Sequence, residues 1–309
     1  MKELRLQWPS NGGNNMGYLV IENLYKDQRV LLFKSVWATE KIHGTSAWIT
    51  YRGEEKPEKL LFHAGGASHE SFVALFDEHV LLAMLIKIFG FKTVKIHGEH
   101  YGGSIQKMKD TYGDKHRFAV FDILVGDCWL SFDKVEQLCL KLGLEAVYGV
   151  IVPATIECLN AERDKPSIQS MRNLGMQSPW LAREGIVIRP LVEMYDNDGR
   201  IIVKHKGQGF RETATHREVL TEQLKILTDA KAIADEWVTS MRLLHVLDDL
   251  GLTGTNNIAD TGKIIKGMLT DIQKESKGET VITSEAKKAI GKKAARLFKE
   301  YLQSQIKEG

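Results

Sequence analysis

Ala38-Thr39-Glu40-Lys41-Ile42-His43-Gly44-Thr45-Ser46 is the stretch from which the fold of this chain is read. Val36 to Ile42 and Ser46 to Tyr51 are rich in β-branched and aromatic residues, so the stretch reads as two strands joined through a turn at Gly44. A lysine at the end of a strand, followed by a glycine turn, can be held at the floor of a pocket. There, desolvation and neighbouring cations favour the neutral amine, which is a nucleophile. Taken alone the segment is weak, because Lys-x-His-Gly also arises by chance at solvated strand ends.

Four further segments change that reading. His97-Gly98-Glu99-His100-Tyr101-Gly102-Gly103 is a strand ending in a carboxylate and then in glycines that allow close ligand approach. Arg117-Phe118-Ala119-Val120-Phe121-Asp122-Ile123 is a strand offering an aromatic ring. Arg183-Glu184-Gly185-Ile186-Val187-Ile188-Arg189-Pro190 is the fourth, and Ile201-Ile202-Val203-Lys204-His205-Lys206-Gly207 the fifth. Strand side chains alternate, so Lys204 and Lys206 share one face with His205 on the other, and two ammonium groups on one face suit a phosphate.

Outward from these segments the chain changes character near residue 215. Before it, short strand-like runs alternate with Gly-rich turns: Val36 to Ile42, Ser46 to Tyr51, Leu60 to His63, Val94 to Glu99, Phe118 to Val125, Gly185 to Arg189 and Arg200 to Lys206. Asn197-Asp198-Gly199 reads as a hairpin turn between the last two. Glu70 to Phe89 and Asp133 to Leu142 read as helices packed on the strands, which makes the pattern α+β. After Thr215 three helices are predicted: Arg217 to Leu250 with a break near Asp229, Asp260 to Ser276, and Ser284 to Lys307. In the first, Leu220, Leu224, Leu227, Ile233 and Trp237, then Met241, Leu244 and Leu247, approximate one helical face. The boundary is placed at 212 to 217.

In this order the five segments resemble the nucleotidyltransferase motifs of the covalent ligase and capping superfamily. Glu40-Lys41-Ile42-His43-Gly44-Thr45, with His where DNA ligases carry Asp, resembles the RNA ligase 2 family, which includes phage RNA ligases and trypanosome RNA-editing ligases. The resemblance covers roughly residues 35 to 212. It implies an α+β adenylyltransferase domain of antiparallel sheets with packed helices over residues 1–215, and a small all-α domain over 216–309.

The resemblance also implies roles. Lys41 is similar to the family nucleophile that attacks the α-phosphate of ATP, expels pyrophosphate and becomes a lysyl adenylate. Glu40 matches the position that recognises the adenine amino group, and His43, two residues on from Lys41, faces the same way toward the phosphate or the leaving group. Glu99 matches the carboxylate that holds the ribose hydroxyls, and Phe121 the ring that stacks on adenine, with Asp122 turned away behind it. Glu184 resembles the carboxylate that bears on Mg2+ or Mn2+ and on catalysis. Lys204 and Lys206 match the pair that contacts the α-phosphate and stabilises charge developing in transfer. The implied reaction joins an RNA 5′-phosphate to a 3′-hydroxyl at nicks in duplex RNA or RNA-containing hybrids, as in RNA repair. An ATP-dependent DNA ligase and a non-catalytic nucleic-acid-binding protein on the same fold are the alternatives.

Two departures bear on the nucleic acid. Ser46 stands where the family usually has Asn, and the segment around His63 lacks the family's arginine, so His63 is the expected substitute. Lys287, Lys288, Lys292, Lys293, Arg296 and Lys299 make the last helix basic, and Lys287, Lys288, Lys292 and Arg296 are candidates to track duplex phosphates. A helical end in place of short strands with turns argues against the OB-fold that follows this domain in DNA ligases and capping enzymes.

Length and composition bound the rest. At about 150 residues per domain, 309 residues favour two domains. With 42 Lys and Arg against 40 Asp and Glu the net charge is +2, so any polyanion must be met by a local patch. Six prolines argue against long disordered linkers. Cys128, Cys139 and Cys158 lack metal or redox spacing and read as reduced thiols. A charged start and the lack of any long apolar run predict a protein without membrane contact, and with the reduced thiols a cytoplasmic one (host cytoplasm for a viral one); a monomer is the expected state. His97-Gly98-Glu99 lacks the Pro-Cys-x-x-Cys of zinc deaminases, and Gly262-Lys263 lacks the rest of a phosphate-binding loop.

Overall fold

The computed structural model describes residues 17–55, 57, 59–175, 181–215, 219, 229–253 and 257–308. Its first sheet runs in the order Glu22–Asn23, Val203–Lys206, Gly185–Pro190, Ser35–Lys41, Gly149–Pro153. The pairs are antiparallel except that Glu22–Asn23 lies parallel to Val203–Lys206. The second sheet runs Lys59–His63, Thr45–Arg52, Thr93–Tyr101, Arg117–Val125, Cys128–Trp129, with Glu145–Ala146 parallel on Arg117–Val125. Lys41 is the last residue of a first-sheet strand and Thr45 the first of a second-sheet strand, so the chain crosses between sheets through Ile42-His43-Gly44. The nucleophile candidate thus lies on the crossing.

Each sheet buries its own apolar face. Ile49, Tyr51, Ile96 and Val120 of the second sheet pack with Phe72, Leu85, Phe132 and Val135 from its helices. Val36, Ala38, Ile186, Ile188 and Val203 of the first sheet pack with Leu24 and Leu159. The expected helix over Glu70 to Phe89 is two helices, His69–Val73 and Glu78–Phe89. Asp77 breaks it, because its side chain accepts the Val80 amide at 3.1 Å and so caps a new start. The Asn197-Asp198-Gly199 turn joins a separate ribbon, Tyr195–Asp196 with Gly199–Arg200, rather than the two long strands. The strand Gly149–Pro153 and the helices Ile156–Arg163 and Ile168–Leu174 are additional elements.

The C-terminal helices Ala230–Trp237, Ser240–Asp249, Thr261–Glu275 and Ser284–Glu308 enclose a third core of Ile233, Trp237, Leu243, Val246, Leu247, Ile264, Met268, Ile272, Ile290 and Phe298. The break expected near Asp229 coincides with Asp229 as an N-cap, its carboxylate accepting the Ala232 amide at 2.7 Å. Residues 220–228, with Leu220, Leu224 and Leu227, lie outside the described residues. A second break follows at Thr239, which caps Ser240–Asp249. In the restarted helix Leu243 and Val246 join the expected Leu247 in the core, while Leu244 packs against it only partly buried.

Candidate active site

Three neighbouring strand ends bring the charged groups together. Gly185 pairs with Lys41 on one side and with Lys206 on the other. Glu184, one residue before Gly185, therefore stands between two lysines. Lys41 Nζ is 2.9 Å from Glu184 Oε2 and Lys206 Nζ is 3.1 Å from Glu184 Oε1. His43 Nδ1 is 3.4 Å from Glu184 Oε2. Gly185 has to be glycine, because a Cβ would meet His205 O at 2.3 Å and Lys206 Cα at 2.8 Å. Burial pushes the Glu184 carboxyl up, but Lys41 and Lys206 outweigh it and hold the group well below the usual carboxylate range. The near neighbour of Lys41 is thus a carboxylate, where the sequence pattern led us to expect cations.

The crossing turn is fixed from the second sheet and from helix Lys109–Tyr112. The Gly44 amide donates to Glu99 Oε1 at 3.0 Å and the His43 amide to the Tyr112 hydroxyl at 3.2 Å. A Cβ on Gly44 would lie 2.5 Å from His100 O, so the close approach that presents this amide to Glu99 needs glycine. Burial pushes the Glu99 carboxyl up to about 8; Lys41 opposes this, while Glu184 and Asp248 add to it. Ser46 is directly opposite Glu99 in the ladder and is exposed. Trp48, two residues on, stacks on His63 with ring centroids 3.7 Å apart. His63 therefore lies on the strand beside Ser46 and Trp48.

Phe121 occupies a bulge. Asp122 pairs with His97 and Val120 with Gly98, leaving Phe121 without a cross-strand partner. Its carbonyl accepts from Arg189 Nη2 at 2.7 Å, and its ring meets Tyr18 edge-on at 4.9 Å. Asp122, behind it, is a buried hub whose Oδ1 is 3.2 Å from Arg189 Nη1, with Arg200 on Oδ2 and the Tyr18 hydroxyl donating to it at 2.6 Å. Alternation along a regular strand would turn Asp122 away from Phe121, but the bulge interrupts it, and Tyr18 meets the Phe121 ring with its own ring and Asp122 with its hydroxyl.

Glu40 is engaged elsewhere. It is buried, and its Oε2 accepts the amides of Ile168 at 2.9 Å and Gln169 at 3.2 Å, while Ser167 donates to Oε1. Glu40 therefore holds the N-terminus of helix Ile168–Leu174, where a carboxylate complements the helix dipole. A carboxylate has about four acceptor positions, and three donors leave one on Oε1.

Sequence reasoning missed the charged groups that arrive from beyond the sheets. Lys206 also donates to Glu212, and Glu212 Oε1 is 2.9 Å from His245 Nδ1 of helix Ser240–Asp249. Lys204 Nζ is 3.1 Å from Glu275 Oε2 at the end of helix Thr261–Glu275. The rings of His43 and His245 are 5.4 Å apart. His43, Glu184 and His245 offer three ligand atoms within 4.8 Å of one another, a set able to hold a metal ion. The signal available in the sequence was a histidine and an arginine on the predicted apolar helix, too short of pattern to place them. Lys287, Lys288, Lys292 and Arg296 are exposed on helix Ser284–Glu308, and Arg296 pairs with Glu300 at 2.8 Å.

Two mainly antiparallel sheets are thus joined at a crossing that carries Lys41, with Glu184, Glu99 and Lys206 gathered beside it. Residues 34–206 match the RNA ligase family, and the chain belongs to that family. No curated protein matches the sequence. Among solved structures, a Naegleria gruberi RNA ligase variant with ATP and Mn is similar with a TM-score of 0.48 and 18% identity, covering 64% of this chain and 58% of that one. A second variant of that ligase, with AMP and Mn, gives a TM-score of 0.49 at 16% identity, with the same coverages of 64% and 58%. The chain thus spans 58% of the length of these structural relatives. No helix among the described residues is long and apolar enough to cross a membrane.

Proposed function

We propose that this chain is an ATP-dependent RNA ligase with an adenylyltransferase domain over residues 1–215 and a helical domain over 216–309. The observation that carries the reading is the Lys41–Glu184–Lys206 cluster on adjacent strand ends, one glycine turn from Glu99. It has a partly exposed lysine at the crossing, a second lysine beside it for phosphate, and the Glu99 carboxyl for hydroxyls.

The chemistry follows from that placement. Lys41 as the neutral amine attacks the α-phosphate of ATP in line; the new N–P bond replaces the P–O bond to pyrophosphate, and the proton on nitrogen leaves through the Glu184–His43 side of the cluster. A phosphoramidate is stable enough to wait for RNA. The 5′-phosphate oxygen of RNA then takes the AMP and regenerates Lys41, and a 3′-hydroxyl oxygen attacks that phosphate and expels AMP. Lys204 and Lys206 face the charge that builds on the transferring phosphoryl group. Glu99 suits the ribose hydroxyls, the Phe121 ring the adenine face, and the free acceptor position on Glu40 the adenine amino group. Glu184, His43 and His245 fit a divalent cation by donor type and spacing; bound there, Mg2+ or Mn2+ would neutralise phosphate charge.

For RNA, the pairing of Ser46 with Glu99 and of His63 with Trp48 sets both on the Glu99 side of the second sheet, which supports a role for them at the RNA end. Lys288, Lys292, Arg296 and Lys299 recur at helical spacing and form an exposed stripe that suits duplex phosphates. The test is sealing of nicked duplexes whose 3′-hydroxyl strand is RNA or DNA. Sealing is expected with RNA ends, and equal sealing of all-DNA nicks would move the assignment to a DNA ligase.

A further inference from the structure

The lysines assigned above to phosphate are already occupied by carboxylates that belong to neither strand. Lys206 is shared between Glu184 and Glu212, and Lys204 is held by Glu275. Side-chain exposure is 9% for Lys206, 12% for Glu212, 13% for Lys204 and 11% for Glu275, so these pairs sit where water screens little. Glu212 follows the strand Val203–Lys206 by only a few residues, yet its carboxylate belongs to the helices. Oε2 is 3.4 Å from Arg242, Oε1 is 2.9 Å from His245, and the Thr239 hydroxyl donates to its carbonyl at 3.2 Å. Glu275 is likewise fixed to the helices as the last residue of Thr261–Glu275. A cavity at this junction is lined by Lys206, Arg211, Glu212, Arg242 and Glu275, which leaves space beside the pairs.

A nucleoside triphosphate carries several negative charges on a chain of phosphates. Placed against Lys204 and Lys206, it meets two nearly dry carboxylates of like charge, and both cannot keep the same ammonium groups. We propose that Glu212 and Glu275 are built-in stand-ins for polyphosphate: the docked helices and a polyphosphate anion compete for Lys204 and Lys206, so entry of the nucleotide releases the helices from the cleft. This rests on the assignment of the two lysines to phosphate under the ligase reading. It adds a physical reason for the helices to lift, which exposes the cleft to RNA after the nucleotide has bound.

Competition sets a definite sign. Replacing a carboxylate by its neutral isostere removes a competitor and a repulsion, so the anion binds more tightly, although an ion pair within the folded chain is given up. The test is calorimetric titration of the full chain with inorganic tripolyphosphate, comparing the parent with Glu275→Gln and Glu212→Gln, alongside amide hydrogen exchange across residues 271–279. Each variant is expected to bind about tenfold more tightly, and tripolyphosphate is expected to speed exchange at 271–279 in the parent. Unchanged or weaker binding by folded Glu275→Gln overturns the proposal, as does unchanged or slower exchange in the saturated parent. If Glu212→Gln does not fold, Glu275→Gln, on a different element, decides alone. No step uses chemistry at Lys41, so a chain that takes no label from ATP but binds tripolyphosphate in this order retains the competition and loses the ligase reading. A labelled chain without the order does the reverse.

Discussion

Lys41 Nζ lies 2.9 Å from Glu184 Oε2, with the lysine side chain 25% exposed and the glutamate side chain 1% exposed. The pair therefore presents the lysine to a ligand while hiding the group that holds it. Glu184→Gln keeps the shape and removes the charge shared by Lys41 and Lys206. We expect a loss of about 2–4 kcal/mol in chemical denaturation at pH 7, because two ammonium groups lose their buried partner while Glu212 still holds Lys206. Because the folded carboxyl is held below its ordinary value of 4.5, its contribution is present above that pH and fades as the pH falls toward the folded value. The parent and Glu184→Gln stability curves should accordingly converge in acid. A constant gap down to pH 3 would contradict the pairing.

Glu99 titrates with the opposite sign. Its carboxyl is pushed from 4.5 up to about 8, so the folded chain holds a proton that the unfolded chain has already released. The stability associated with it is complete below pH 4.5 and is lost as the pH rises through 8. Measured against Glu99→Gln, the parent should lose stability on the order of a few kcal/mol between pH 4.5 and 8.5. A difference that stays flat over that window would remove burial as the governing influence on Glu99.

Gly44 carries a steric prediction. A methyl group there would stand 2.5 Å from His100 O and 2.8 Å from Tyr101 Cβ, both on the second sheet. Gly44→Ala should cost about 1–3 kcal/mol by denaturant titration and weaken the amide contact to Glu99. Gly262 has nothing within 4 Å of a built Cβ, so Gly262→Ala serves as the control. Equal stability of the two variants would show that the sheets are not fixed through this turn.

The basic stripe gives a salt-dependent expectation. If Lys288, Lys292 and Arg296 neutralise phosphates, the triple alanine variant should lower the slope of log affinity against log salt by about 0.9 for each phosphate of duplex RNA that no longer meets a cation. Its fold should be untouched, since all three side chains are exposed. Parallel slopes for parent and variant would leave the stripe as a solvated face.

How much of this was legible in the sequence depends on whether the signal was local. Lys41, Glu184 and Lys206 are each tied to a strand end with a neighbouring glycine, and their approach follows from strand pairing that β-rich runs already suggest. The strand Gly149–Pro153 is short, ends in proline and pairs along one side, so it has little pattern of its own. Helix Ile168–Leu174 buries Gln169 and Ser170, and so carries no apolar period to detect. Glu40 reads as a site residue from its neighbour Lys41, whereas its hydrogen bonds go to that unpredicted helix. Glu212, His245 and Glu275 were illegible for a different reason: their partners are chosen by the docking of helices, and the Thr239 cap turns His245 and Arg242 away from the phase that continuous helical spacing predicts.

The central claim is that Lys41 becomes covalently bound to AMP. Incubation with α-labelled ATP and a divalent cation, followed by denaturation and peptide mapping, tests it directly. The account predicts a label that survives denaturation, maps to the peptide containing Lys41, and is abolished by Lys41→Ala. A label that persists in Lys41→Ala, or none in the folded parent, would contradict it.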